Sequence, residues 1–140
     1  LVAAVAAAAP AAAQAPPPVR VFFGPKAADT GDGLLKNLLA FLDTATTTLH
    51  GSVHEVDMIL VAEKLAGKAA AGVEVHLVVE KDWWDAAKNT AARRVLERSK
   101  VKVTRDAKKS GLMHNKFFVA DGRRVWTGST NLTESCLLYN

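Results

Sequence analysis

Apolar and polar positions divide the chain into stretches of helical and of strand period. Leu34, Leu35, Leu38, Leu39 and Leu42 fall on one face of a helix. Before them, the short apolar run Val21 to Phe23 reads as a strand closed by Gly24-Pro25, and a loop with Asp29 and Asp32 leads on to the helix. The β-branched stretch from Leu49 to Val56 suggests a second strand. Asp57 then stands where it would cap a helix from Met58 to Ala71, which Gly72 would close. Val73, Val75, Leu77 and Val79 alternate with Glu74, His76 and Val78, as in a strand; a helix-period segment with Val95 and Leu96 precedes the strand-like Val101 to Thr104. Lys116 to Ala120 and Arg124 to Thr127 are β-prone runs on either side of Asp121-Gly122, a dipeptide suited to a two-residue hairpin turn. Strands alternating with helices predict an α/β sandwich around a largely parallel sheet.

At 140 residues the chain has the size of one domain. Residues 1–20 stand apart from residues 21–140, which carry the fold: ten of the first twenty are Ala, four are Pro and Arg20 is the sole charge. The apolar run from Leu1 to Ala9, followed by small residues, matches the apolar region and cleavage site of a secretory signal peptide, with the cut placed after Ala13. A signal-peptide remnant implies export; a plain Ala/Pro linker is the alternative. No stretch reaches the ~18 apolar residues of a membrane span. The lone cysteine, Cys136, excludes an intrachain disulfide framework and a multi-cysteine zinc site.

Charge changes the picture in one region. Lys88 to Arg124 holds twelve of the eighteen basic residues and three acidic ones, a net +9, while the remainder nets −5. Arg93 to Arg98 alone would pass for a solvated helix face, but the whole segment suits an anionic partner.

His114, Lys116, Asp121, Gly128, Ser129 and Asn131 stand at the spacing H-x-K-x4-D-x6-G-S-x-N, a set of six positions that chance would supply on the order of once in a million chains this long. A two-residue turn at Asp121-Gly122 would pair His114 with Ser129 and put His114, Lys116, Thr127 and Ser129 on one face, with Asn131 nearby. An imidazole, an ammonium and a hydroxyl so placed can hold a phosphate and attack it. Phosphodiester cleavage would use His114 as nucleophile, forming a phosphohistidine, with Lys116, Ser129 and Asn131 as donors to the phosphate oxygens. A second imidazole must protonate the leaving oxygen and later activate water.

The motif resembles the signature of the phospholipase D superfamily, which includes phospholipases, cardiolipin synthases and small bacterial endonucleases. Val21 to Pro25, the leucine helix and Gly72 to Val79 resemble the opening strand, first helix and third strand of a family half-domain. The resemblance implies a phospholipase D/nuclease-like α-β-α sandwich with a mixed, largely parallel sheet, no metal or other cofactor, and two copies of the motif meeting across a pseudo-twofold axis. This chain carries one copy, so a homodimer partner or a C-terminal half of a longer protein would supply the second. Family half-domains continue past the position of Asn140 with another strand and helix, so the domain reads as C-terminally incomplete.

Asp121, counted with His114 and Lys116 as a catalytic candidate, has two readings. It either forms the turn, about 23 Å along the strand from His114, or, as the resemblance implies, reaches the histidine of the second motif and fixes its tautomer. His50, His54 and His76 read as packed or partly exposed strand residues, and Cys136 as inert. Trp83-Trp84 would line a substrate channel, touch lipid or fill a gap over the helices. Together these features predict a metal-independent phosphodiesterase, with nucleic acid slightly ahead of phospholipid as substrate. The competing class is a non-catalytic phosphate-binding module in which the motif is a relic.

Overall fold

The computed structural model describes residues 19–24, 33–86, 90–107 and 111–139; the expected signal segment and the loop with Asp29 and Asp32 lie outside these residues. The leucine stripe forms α1 (Leu34–Asp43), with Leu38 and Leu42 fully buried. There follow β1 (Thr48–Val53), α2 (Ile59–Ala70), β2 (Glu74–Val79), α3 (Lys81–Ala86), α4 (Ala91–Arg98), β3 (Lys102–Arg105), β4 (Lys116–Ala120) and β5 (Arg124–Thr127). A single π-helical turn, Ser135–Tyr139, follows the last strand. α4 begins at the cap expected of a threonine, the Thr90 hydroxyl accepting from the Arg93 amide at 3.2 Å. Gly72 follows α2 with φ +94°, the left-handed conformation that ends many helices.

The strands form one mixed sheet in the order β3-β2-β1-β4-β5. β1 pairs in parallel with β2, and β2 with β3; β4 is antiparallel to both β1 and β5. The mixed α/β architecture is therefore the one expected. On the core face of the sheet lie Leu49, Gly51 and Val53 of β1, Val75, Leu77 and Val79 of β2, and Phe118 and Ala120 of β4, all buried. α1, α2 and α4 add Leu38, Leu42, Val61, Leu65, Ala92 and Leu96 to the same cluster. Lys116 continues that face at the entry to β4, opposite Val53, and is itself only 8% exposed.

Several local expectations need correction. Asp57 does not cap α2: its Oδ1 accepts from the Glu134 amide at 2.8 Å, and Met58 takes the cap position without a side-chain bond. Val21 to Phe23 form no strand; instead Phe22 stacks on Trp126 with ring centroids 5.5 Å apart, and Trp126 also meets Phe41 of α1. The hairpin register is displaced by one residue. Asp121 and Gly122 adopt the positive φ values, 53° and 64°, that an Asp-Gly turn requires, and the Arg123 amide bonds to the Ala120 carbonyl. Arg123 is then an extra residue on one side, so Ala120 faces Arg124 and Phe117 faces Thr127. A one-residue slip exchanges faces, and Thr127 lies on the side of the sheet opposite Lys116.

Asp121 is the clasp at this end of the sheet. Its carboxylate accepts from the amides of Thr46, Thr47 and Thr48, from the hydroxyls of Thr46 and Thr47, and from Arg124. The catalytic assignment of Asp121 meets a plain physical obstacle within this chain: its acceptor positions are taken, and it sits in the turn at the far end of β4 from His114. The turn reading is the one this geometry favours.

Two measurements probe this arrangement. A Cβ at Gly51 would stand 2.5 Å from the Phe118 ring and 3.1 Å from Leu77 Cδ1. Gly51→Ala should therefore cost roughly 1–3 kcal/mol through overpacking, read as a lower urea midpoint with an unchanged slope. Amide bonds from Thr47, Thr48 and Thr46 hold the Asp121 carboxyl below the usual carboxylate range. In the unfolded chain the group titrates near ~3.9, so its contribution is fully present above that pH and is lost as pH falls toward the lower folded value. Asp121→Asn should melt lower at neutral pH and show a flatter loss of stability between about pH 5 and 2; a wild-type acid profile in that variant would contradict the clasp.

Candidate active site

The site forms where β1 ends and β4 begins, at the carboxyl ends of the parallel strands, where open α/β sheets place their ligand crevices. Pairing continues one step past the strands: the His54 amide bonds to the Asn115 carbonyl at 2.9 Å. Asn115 Nδ2 donates to the Ser52 hydroxyl, and that hydroxyl donates to Met113 Sδ, which fixes the segment entering β4. The tail of the motif is docked onto the link from β1 to α2. The Leu132 amide bonds to the Glu55 carbonyl, and the amides of Asp57 and Met58 bond to the Leu132 carbonyl. Backbone pairing thus brings Asn131 to the segment that carries His114 and Lys116, with β5 intervening between them in the chain.

His114 is exposed, and its ring lies edge-on to that of His54, centroids 4.8 Å apart with an interplanar angle of 60°. The His54 side chain is 11% exposed, and its Nδ1 stands 3.6 Å from Glu55 Oε1. The other oxygen of Glu55 accepts from Asn131 Nδ2 at 2.8 Å; that bond fixes which end of the amide is the donor. Asn131 Oδ1 and His54 Nδ1 are buried and have no hydrogen-bond partner among the described residues. Lys116 donates to the His114 carbonyl at 3.0 Å. Burial pushes the Lys116 ammonium below the usual lysine value, opposed by the nearby Glu55 carboxylate. A cation so poorly solvated interacts strongly with any phosphate that replaces its missing water. Ser129 is exposed and, with Thr130, Cys136, Leu34 and Phe22 to Gly24, lines an open cleft of about 380 Å³.

The structure gathers His114, Lys116 and Asn131, sets Ser129 in the adjoining cleft and leaves Asp121 at the opposite end of the hairpin. Two residues that the sequence does not mark as site residues belong here. His54, read there as a packed strand residue, touches the nucleophile candidate, and Glu55 links His54 to Asn131. Neither carries a local signal, because only the pairing of β1 with β4 reveals them. The other histidines stay structural: His76 Nε2 meets the Thr104 hydroxyl at 2.9 Å, and His50 faces His76. Trp84 is 4% exposed and Trp83 packs on the core, so the tryptophan pair fills space over the sheet.

The basic segment is partly spent internally. Arg93 bonds to Glu97 and to the Trp84 carbonyl while covering the Trp84 ring, and Arg105 pairs with Asp85. Arg98, Lys100 and Lys102 remain exposed along the α4–β3 edge.

Residues 38–140 match the family described as "Cardiolipin synthase, PLD-like domain". A phospholipase D of Rickettsia bellii (strain RML369-C) is 28% identical over 101 residues, covering 72% of this chain and 49% of the relative. The chain thus spans about half the length of that curated relative. Among solved structures, Nuc from Salmonella typhimurium, described as a phospholipase D family member, superposes with a TM-score of 0.69 at 20% identity, covering 81% of this chain and 73% of that one. NucT from Helicobacter pylori gives 0.62 at 18% identity, covering 76% and 71%. At these identities the likeness is one of fold. Since the family match runs from the first helix through every residue of the motif, the chain belongs to the PLD-like domains of the phospholipase D superfamily.

Proposed function

We propose that the protein is an exported, metal-independent phosphodiester hydrolase that works through a phosphohistidine at His114. One observation carries the reading: an exposed imidazole stands two residues from a buried lysine, whose ammonium donates to the backbone carbonyl of that same histidine. A ring nitrogen of His114 attacks phosphorus, the P–O bond to the leaving group breaks, and a second imidazole gives the leaving oxygen its proton. That imidazole then takes a proton from water, whose oxygen displaces His114 and completes the hydrolysis. Lys116 and Ser129 hold the non-bridging oxygens; Asn131 has one amide hydrogen committed to Glu55 and the other left to donate.

The second imidazole belongs to a second copy of the motif, from a homodimer partner or from the same longer protein. Nucleic acid is the favoured substrate class, supported by the net charge of +4 and the exposed basic edge of α4 and β3. Phospholipid is the second reading, favoured by the exposed Val21 and Phe23 near the cleft.

Hydrolysis of a generic phosphodiester by the full-length protein should persist in excess chelator, and His114→Asn should lower turnover on the order of a thousandfold or more. A requirement for divalent metal, or full activity of that variant, would refute the mechanism. Quenching without acid should trap label on His114; binding with neither label nor turnover would favour a non-catalytic module. In competition, plasmid DNA should be cleaved ahead of phosphatidylcholine vesicles, and the reverse order would make the lipid the substrate.

A further inference from the structure

We infer that His54 is a positioning residue for His114, holding the nucleophilic imidazole in its attacking orientation; this rests on the proposed role of His114. The two rings differ in how firmly they are held. His114 is exposed, precedes β4 by two residues, and has no ring hydrogen bond among the described residues. An exposed imidazole with no ring to rest on would exchange rotamers, and a displacement of about 1 Å from the attack geometry costs roughly a hundredfold in rate. His54 has no such freedom. Its backbone is tied to Asn115, its side chain is 11% exposed, and it stands beside Glu55, which is itself tied to Asn131. The fixed ring lies against the free one at 4.8 Å and 60°, within the range of favourable edge-to-face contacts. The same small network therefore orients the nucleophile and one donor of the phosphate site.

Two other roles for His54 fail on geometry. An in-line displacement puts the attacking and leaving atoms on opposite sides of phosphorus. The leaving-group acid must face His114 across the phosphate, and two rings in contact leave no room for phosphorus between them. Nor do the ring contacts support a purely structural hydrogen-bonding role: among the described residues the buried Nδ1 has no hydrogen-bond partner, standing 3.6 Å from Glu55 Oε1, beyond hydrogen-bond reach. The facing groups are the His114 ring, the Glu55 carboxylate and, behind the latter, the Asn131 amide.

That unbonded nitrogen makes a clean experiment available. A phenyl ring at position 54 keeps an aromatic partner for His114 and removes no hydrogen bond at Nδ1. In the full-length protein, with bis(p-nitrophenyl) phosphate as probe, His54→Leu should lower kcat roughly 10- to 100-fold with KM nearly unchanged. His54→Phe should recover most of that loss, and both variants should melt within a few degrees of wild type. If the Phe variant is folded yet as slow as the Leu variant, ring nitrogens are required and the positioning role is wrong. If the Leu variant is fully active, or changes only KM, His54 does not orient the nucleophile. His114→Asn, run alongside, separates the two ideas: activity surviving there removes the nucleophile itself, whatever His54 does.

Discussion

The antiparallel pairing of β4 with β1 is the constraint on which the remaining structure depends. β1 is the middle strand of the sheet, and its parallel side is filled by β2. β4 occupies the other side, and its register decides which residues meet at the two ends. At one end the Asp121 carboxylate collects the Thr46, Thr47 and Thr48 amides; at the other the His54 amide finds the Asn115 carbonyl. Between them Gly51 lets the Phe118 ring lie flush on β1, where a Cβ would intrude. A slip by one residue would undo all three contacts together.

This division of labour explains why the motif's aspartate lies so far from its histidine. Asp121 fixes the hairpin at the end remote from the candidate site, and Lys116, on the core face, inherits burial from the strand that Asp121 holds in register. Its ammonium is poorly solvated because it is the last residue of a buried stripe. Glu55 supplies the compensating carboxylate and has a second use in gripping Asn131. One oxygen of that carboxylate is engaged by the Asn131 amide, which offsets part of its desolvation.

Much of this was legible in the residues themselves. The leucine stripe of α1, the alternation of β2 and the two strands around Asp121-Gly122 appear where periodicity and turn chemistry put them. The family signature could be read directly because its spacing is short and fixed. What failed were inferences about exact register and about distant partners. Asp-Gly dictates positive φ at two positions but does not forbid an extra Arg123, so the face of Thr127 came out reversed. Asp57 has the chemistry of a helix cap, yet a tertiary donor, the Glu134 amide, claims it. His54 and Glu55 show nothing at the level of sequence because their role is created by a strand more than sixty residues away.

That separation bears on how the site comes into being as the chain is made. β1, β2 and β3 lie in one continuous stretch and can pair in sequence order, each parallel step bridged by helix. β4 must then return past both of them to the open side of β1, a long-range closure of the kind that slows folding. Until it docks, His54 and Glu55 border an unpaired strand edge and His114 has no ring to rest against. A nascent chain therefore carries an α/β framework before it carries the candidate site, and the arrival of a single hairpin adds the second to the first.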